Sequence, residues 1–265
     1  GAVTFSVDSG DCSVSGTTVT ATGGTTDCVM SALKAADDDY LEASSSNTVT
    51  ISISKAAQTI TFGALTGKSY GAADFSVSST SSSGLSVSFT SNDTDVCTVS
   101  GSTVSIVAVG TCSVTANQGG SSLYSSATGV TQTFSVSAKA ITVSVVVADK
   151  VYDAGTAATV SSGVLSGVVS GDTVSFVAAN AAAAFGTAAV ASGKSVTVTL
   201  DGDELSGADA GNYSLTVSGS PSASITAKPI TVNVTPAGKT YDGTQSVLSF
   251  TSSLSGLESG DTVSV

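Results

Sequence analysis

The same text occurs twice in the first half of this chain, and a nearly fixed offset ties the two copies together. One copy runs Val3-Thr-Phe-Ser-Val, Cys12-Ser-Val-Ser-Gly-Thr-Thr-Val, Cys28, Tyr40-Leu41 and Val49-Thr-Ile-Ser-Ile. The other runs Val87-Ser-Phe-Thr-Ser, Cys97-Thr-Val-Ser-Gly-Ser-Thr-Val, Cys112, Leu123-Tyr124 and Gln132-Thr-Phe-Ser-Val. Cys12 to Cys97 and Gly16 to Gly101 are both 85 positions, and Tyr40 to Tyr124 is 84. Self-similarity at such a period means an array of modules, each near the size of a small sandwich domain. Within each copy Val, Ile and Phe alternate with Ser and Thr, which reads as strands with one wetted face.

The second half repeats a different text at an offset of 89 without insertion. Ile141-Thr-Val-Ser-Val, Lys150-Val-Tyr-Asp and Leu165-Ser-Gly-Val-Val-Ser-Gly-Asp-Thr-Val-Ser return as Ile230-Thr-Val-Asn-Val, Lys239-Thr-Tyr-Asp and Leu254-Ser-Gly-Leu-Glu-Ser-Gly-Asp-Thr-Val-Ser. Four modules follow: 1–57, starting in mid-repeat and lacking a counterpart of Thr59–Gly84; 58–139; 140–228; and 229–265, ending partway through its repeat. Only two or three residues separate strand text at Ser54-Lys-Ala-Ala-Gln, Ser137-Ala-Lys-Ala-Ile and Thr226-Ala-Lys-Pro-Ile, too few for a flexible linker. The expectation is an all-β chain of tandem Ig-like β-sandwich modules in an elongated, semi-rigid array.

Charge narrows the function. Twenty acidic residues oppose eight lysines, giving a net charge of −12 with no Arg, His or Trp. A nucleic-acid partner needs a basic footprint that this chain lacks. Disorder is a poor account, because 41% of residues are apolar, only 11% are charged and mean hydropathy is +0.37. No apolar run is long enough to span a bilayer. Without His there is no Ser-His or Cys-His nucleophile. Nothing in the repeats singles out a carboxylate pair for glycosidase chemistry, so the chain reads as non-enzymatic.

Four cysteines can pair in three ways. Each repeat of the first type carries its own pair at nearly the same spacing, and parsimony joins Cys12 to Cys28 and Cys97 to Cys112. Such bonds place the chain in an oxidising compartment, outside the cell or on its surface. Four buried thiols in a reducing compartment are the competing reading.

The Gln58-Thr-Ile-Thr-Phe-Gly-Ala-Leu opening, the Ser83–Ser91 run and the Cys97/Cys112 frame resemble the bacterial Ig-like repeats of very large secreted or surface proteins. Residues 140–265 resemble the YDG/MBG repeats of filamentous-haemagglutinin-like adhesins, through Lys239-Thr-Tyr-Asp-Gly; the third module departs from that motif with Ala154 in place of the Gly. The resemblance implies a stalk in an extracellular bacterial filament or giant adhesin. Its partners would be further repeats of the same parent chain, or copies of the chain in a fibre. An adhesive module that binds a glycan, a surface or a protein through loops or strand edges is the alternative. No catalytic residue is carried over. Some surface adhesins join a lysine at the end of a first strand to an asparagine of a late strand by an isopeptide bond, which here singles out Lys150, Lys239 and Asn212.

Other candidates rest on composition alone. Asp37, Asp38, Asp39 and Glu42 are oxygen donors of the kind Ca²⁺ takes, opposed by the reading of a solvated acidic loop. Asp8 with Asp11, and Asp201 with Asp203 and Glu204, are sparser sets. No other cofactor is implied. Tyr70, Tyr152 and Tyr241 each follow a lysine by two residues; they are carbohydrate contacts or rings that cap a sandwich end. Asn92, Asn212 and Asn233 open N-x-Ser/Thr triplets, expected by chance in so Ser- and Thr-rich a chain.

Overall fold

The computed structural model describes residues 1–238, 240–241, 243 and 250–264. The chain divides into two compact units, Gly1–Ser137 and Ala138–Val265. Both are built almost wholly of strands. The single-turn 3₁₀ helices Ala178–Asn180 and Ala210–Asn212 are the exceptions among the described residues, and no helix is long and apolar enough to cross a membrane.

The first half of unit 1 carries β1 (Val3–Ser9), β2 (Cys12–Ser15), β3 (Thr18–Ala21), β4 (Cys28–Lys34), β5 (Ala43–Ser44) and β6 (Val49–Ile51). Antiparallel partners β1, β5 and β6 flank β4, the longest-paired strand of this half, while β2 and β3 form a separate hairpin. That hairpin reverses through the two residues Gly16-Thr17, with Gly16 at φ 61°. A tight strand reversal needs this left-handed backbone, which glycine adopts without a Cβ clash.

The second half of unit 1 repeats this layout and adds strands before it. It carries β7 (Ile60–Phe62), β8 (Lys68–Ser69), β9 (Phe75–Ser76), β10 (Ser79–Ser81), β11 (Ser88–Ser91), β12 (Cys97–Ser100), β13 (Thr103–Ile106), β14 (Gly110–Asn117) and β15 (Val130–Ser137). One sheet runs β11-β14-β15-β8, a second β12-β13-β9, and β10 pairs with β7. The registers match those of the first half: Phe89 faces Ala116 as Phe5 faces Ala32, Val99 faces Val104 as Val14 faces Val19, and Val114 faces Gln132 as Met30 faces Val49. Alternation puts Cys112, Val114 and Ala116 of β14 into the core with Phe134 and Val136 of β15. The intervening Thr115 bonds Thr131 across the wetted face at 2.8 Å. Outside the strands, buried Gln58 and Gln118 satisfy one another, with further bonds from Gln58 to the Ser125 carbonyl (2.6 Å) and from the Gly120 N–H to Gln118 (2.6 Å).

Unit 2 begins with β16 (Lys139–Val147), β17 (Lys150–Val151), β18 (Ala157–Ala158), β19 (Val160–Ser166), β20 (Ser175–Phe176), β21 (Ala182–Phe185), β22 (Ala191–Thr199), β23 (Leu205–Ser206), β24 (Tyr213–Val217) and β25 (Ser222–Thr226). Two sheets face each other, β19-β16-β24 and β17-β25-β22-β21-β18. The first strand serves both: β16 lies parallel to β24, then the chain crosses over and β17 lies parallel to β25. Val147 and Val160 of the first sheet pack on Phe185, Val196, Ala223 and Ile225 of the second. Burying each of the larger of these side chains is worth roughly 1.5–3 kcal/mol. Gly163 of β19 is so closely covered that an added Cβ would lie 2.6 Å from the Phe176 ring of β20 and 2.7 Å from Val143 of the neighbouring β16. The alanine run at Ala181–Ala184 is extended, mostly within β21. A two-stranded sheet of β26 (Thr231–Pro236) and β27 (Phe250–Ser255) completes the unit.

Candidate functional site

Each disulfide ties a hairpin to a sheet. Cys12 of β2 is bonded to Cys28 of β4, with Cα atoms 5.6 Å apart, and Cys97 of β12 to Cys112 of β14, at 5.7 Å. Cys28, Cys97 and Cys112 are fully buried. Closing loops of 16 and 15 residues removes unfolded-state freedom worth about 3 kcal/mol per bond in the chain-entropy model.

The acidic candidates turn inward to their own backbone. Asp11 Oδ2 accepts from the Thr25 hydroxyl (2.6 Å) and from the N–H groups of Thr25 (2.8 Å) and Thr26 (3.0 Å). These donors favour the charged form and hold the carboxyl at about 2. Asp8 accepts from the Ser31 hydroxyl at 2.7 Å. Asp37 pairs with Lys34 at 3.0 Å and with the amino terminus, and its other oxygen accepts from the Tyr40 N–H at 2.9 Å. Asp38, Asp39 and Glu42 are exposed beside it. Glu204 is 1% exposed and accepts from the N–H groups of Asp201 and Gly202 (3.0 Å), so it pins its own loop. Among the described residues no group of three or more Cys, Asp or Glu is placed to hold a metal ion.

The isopeptide candidates are not brought together. Lys150 pairs with Asp153 at 2.7 Å and donates to the carbonyls of Gly155 (3.2 Å) and Ala157 (3.0 Å), closing the turn after β17. Asn212 precedes β24, where Lys139 faces Tyr213 at the opposite end of β16 from Lys150. Lys150 lies eleven positions after Lys139, beyond the crossover that carries the chain from β16 in one sheet to β17 in the other. Lys239 lies outside the described residues.

The tyrosines sort by their hydroxyl partners. Tyr70 is buried and Tyr241 exposed. The Tyr152 hydroxyl donates to Asp261 Oδ1 at 3.0 Å, and this bond, helped by burial, pushes the phenol up. Beside it Lys228 pairs with Glu258, and both flank a groove of about 220 Å³ floored by Ile230 and Leu257. The sequence text gave no sign of Tyr213, whose hydroxyl accepts from the Val169 N–H (3.0 Å) and donates to Asp172. Burial first, then Asp172, raises its phenol pKa. Asn92 donates through its side chain to Ser113 (2.9 Å) and Thr115 (2.8 Å), so its amide is engaged in β14. What these arrangements do is hold strands, turns and neighbouring repeats in place.

Residues 137–222 match the family model described as the YDG domain. Among solved structures, the chain is similar to Drosophila N-cadherin EC1-4, at 12% identity and a TM-score of 0.30, over 86% of this chain and 66% of that one. It is also similar to domains 4–9 of the surface layer protein SbsC, at 18% identity and a TM-score of 0.25, over 88% of this chain and 40% of that one. It thus spans under two thirds of each of those solved chains. Comparison with curated proteins finds no match.

Proposed function

We propose that this chain is a non-catalytic, load-bearing spacer of an extracellular bacterial filament or adhesin, built from successive β-sandwich repeats. The reading is carried by one observation: the same disulfide, between the same two strands, recurs in both repeats of unit 1. A bond from hairpin to sheet resists the strand separation that tension along the chain would produce. The YDG match to residues 137–222 supports a surface setting, and the tyrosine and lysine ties of unit 2 support a mechanical one.

Pulling the 265-residue chain from its ends tests this directly. Each disulfide hides its loop of 16 or 15 residues from extension, about 5 nm of contour at 3.3–3.6 Å per residue. Force traces should therefore show distinct unfolding steps that lengthen by about 5 nm per bond when thiol reductant is added. Traces without steps would overturn the spacer reading, and specific retention on a glycan array would support the adhesive alternative.

A further inference from the structure

A groove of about 400 Å³ opens in unit 2 between the loop that follows β22 and the strand β24. Its lining belongs wholly to the repeat 140–228, with strands β16 to β25 all described. Leu200, Leu205 and Leu215 are half-buried and give the groove an apolar body. The buried Tyr213 ring is a fixed wall, held by the hydroxyl bonds to Val169 and Asp172. One side of the groove is a sheet edge. Among the described residues β24 pairs with β16 alone, so its other edge presents backbone N–H and C=O groups to an incoming strand.

The charge of the groove is one-sided. Asp201 and Asp203 stand exposed on the loop, and Glu204 is 1% exposed in the wall. The N–H groups of Asp201 and Gly202 orient the Glu204 carboxylate without cancelling its charge. No lysine pairs with it among the described residues, not even Lys139, which faces Tyr213 across the ladder. A buried anion without a cation is costly, and a cationic ligand would relieve that cost. The acids are not gathered closely enough to hold a metal ion. A lysine side chain suits the groove better, since its methylenes lie on the leucines while its compact charge reaches the carboxylates.

We propose that the groove and the open edge of β24 form a docking site for an extended, lysine-bearing segment of another protein. The segment's backbone adds to β24 while a lysine side chain enters the groove toward Glu204 and Asp201. A second copy of this chain is the weaker occupant. Its net charge of −12 opposes association, and its Lys34, Lys150 and Lys228 are already paired with acids. The proposal concerns recognition at one edge and stands or falls apart from the spacer reading.

The test titrates the 265-residue chain with a fluorescently labelled, end-blocked peptide, Thr-Val-Thr-Lys-Thr-Val-Thr, followed by anisotropy and by amide exchange. On saturation, exchange over Tyr213–Val217 should slow by about tenfold or more, while the edge strands β11 and β19 stay unchanged. Norleucine in place of the peptide's lysine should weaken binding by about tenfold. N-methylation of alternate peptide amides on the pairing edge should abolish it. Asp201→Asn with Asp203→Asn, both at exposed positions, should weaken it by about tenfold as well. Asp38→Asn with Asp39→Asn removes the same charge from unit 1 and should leave it unchanged. Equal effects of the two charge pairs would overturn the proposal by reducing it to general attraction. Binding that leaves β24 exchange untouched would overturn it, as would no binding up to the peptide's solubility limit. Concentration-dependent dimers of the chain alone that protect β24 would overturn it too, by assigning the edge to a second copy.

Discussion

Ala154 is the residue most at odds with its backbone. Its φ of 60° is the only left-handed value at a non-glycine among the described residues, and the position 89 further on, Gly243, has φ 77°. A Cβ in that region costs roughly 1–2 kcal/mol, while glycine adds roughly 0.5–1 kcal/mol of unfolded-state entropy. Ala154→Gly should therefore stabilise unit 2 by up to about 1 kcal/mol, seen as a melting temperature raised by a few degrees. Asp11 makes the opposite kind of case, a residue well matched to its surroundings. With Thr25 and Thr26 donating to it, its folded pKa of about 2 lies below the ordinary 3.8. The carboxylate's stabilisation is thus fully present above about pH 4 and is lost as pH falls toward 2. Asp11→Asn should lower stability at pH 7 and flatten that acid loss, as thermal melts followed between pH 5 and 2 would show. Opposite behaviour, with a steeper acid loss in the variant, would mean that Asp11 is not held by those threonines.

At the scale of elements, much was legible because strands and repeats announce themselves in sequence. Alternating Val and Thr placed β14, β15, β16 and β22 on a pleat, and equal cysteine spacing in two copies was enough to pair Cys12 with Cys28 and Cys97 with Cys112. Replacing Cys97 and Cys112 together by serine should cost about 3 kcal/mol, read from the denaturation midpoint of unit 1. A loss confined to a few tenths would contradict a loop-closing role. What stayed hidden depends on register between distant strands. Tyr213 meets Asp172 and Val169 only because β24 lies parallel to β16, and that same register carries Lys150 away from Asn212. Glu204 read as one oxygen donor among several, yet its carboxylate is consumed by two backbone N–H groups of its own loop, an arrangement that composition cannot distinguish from a cation site. The repeat also conceals a change of partner. Asp172 and Asp261 occupy the same place in Gly-Asp-Thr-Val-Ser, but the first accepts from Tyr213 and the second from Tyr152. Tyr152→Phe should thus loosen β26–β27 by about 0.5–1.5 kcal/mol, seen as faster amide exchange over residues 250–264 with β22 and β25 unchanged.

For the whole molecule the governing quantity is its charge. A net −12 at pH 7, from 20 acids against eight lysines, keeps separate copies apart by repulsion that salt screens over about 10 Å at 0.1 M. The isoelectric point is about 4.1, so this repulsion vanishes as the carboxylates titrate. The Thr25 and Thr26 donors keep Asp11 charged down to about 2 and the two disulfides do not titrate, so these ties inside the two repeats of unit 1 persist where the net charge crosses zero. Association near pH 4 should therefore be association of folded chains. Light scattering should rise between pH 5 and 4 while the circular dichroism of the strands stays constant, and both signals should revert on return to pH 7. Added salt should promote association at pH 7, where like charges oppose contact, and matter little near pH 4. Scattering that rises only once the dichroism has collapsed would show instead that unfolding, and not the loss of surface repulsion, brings the chains together.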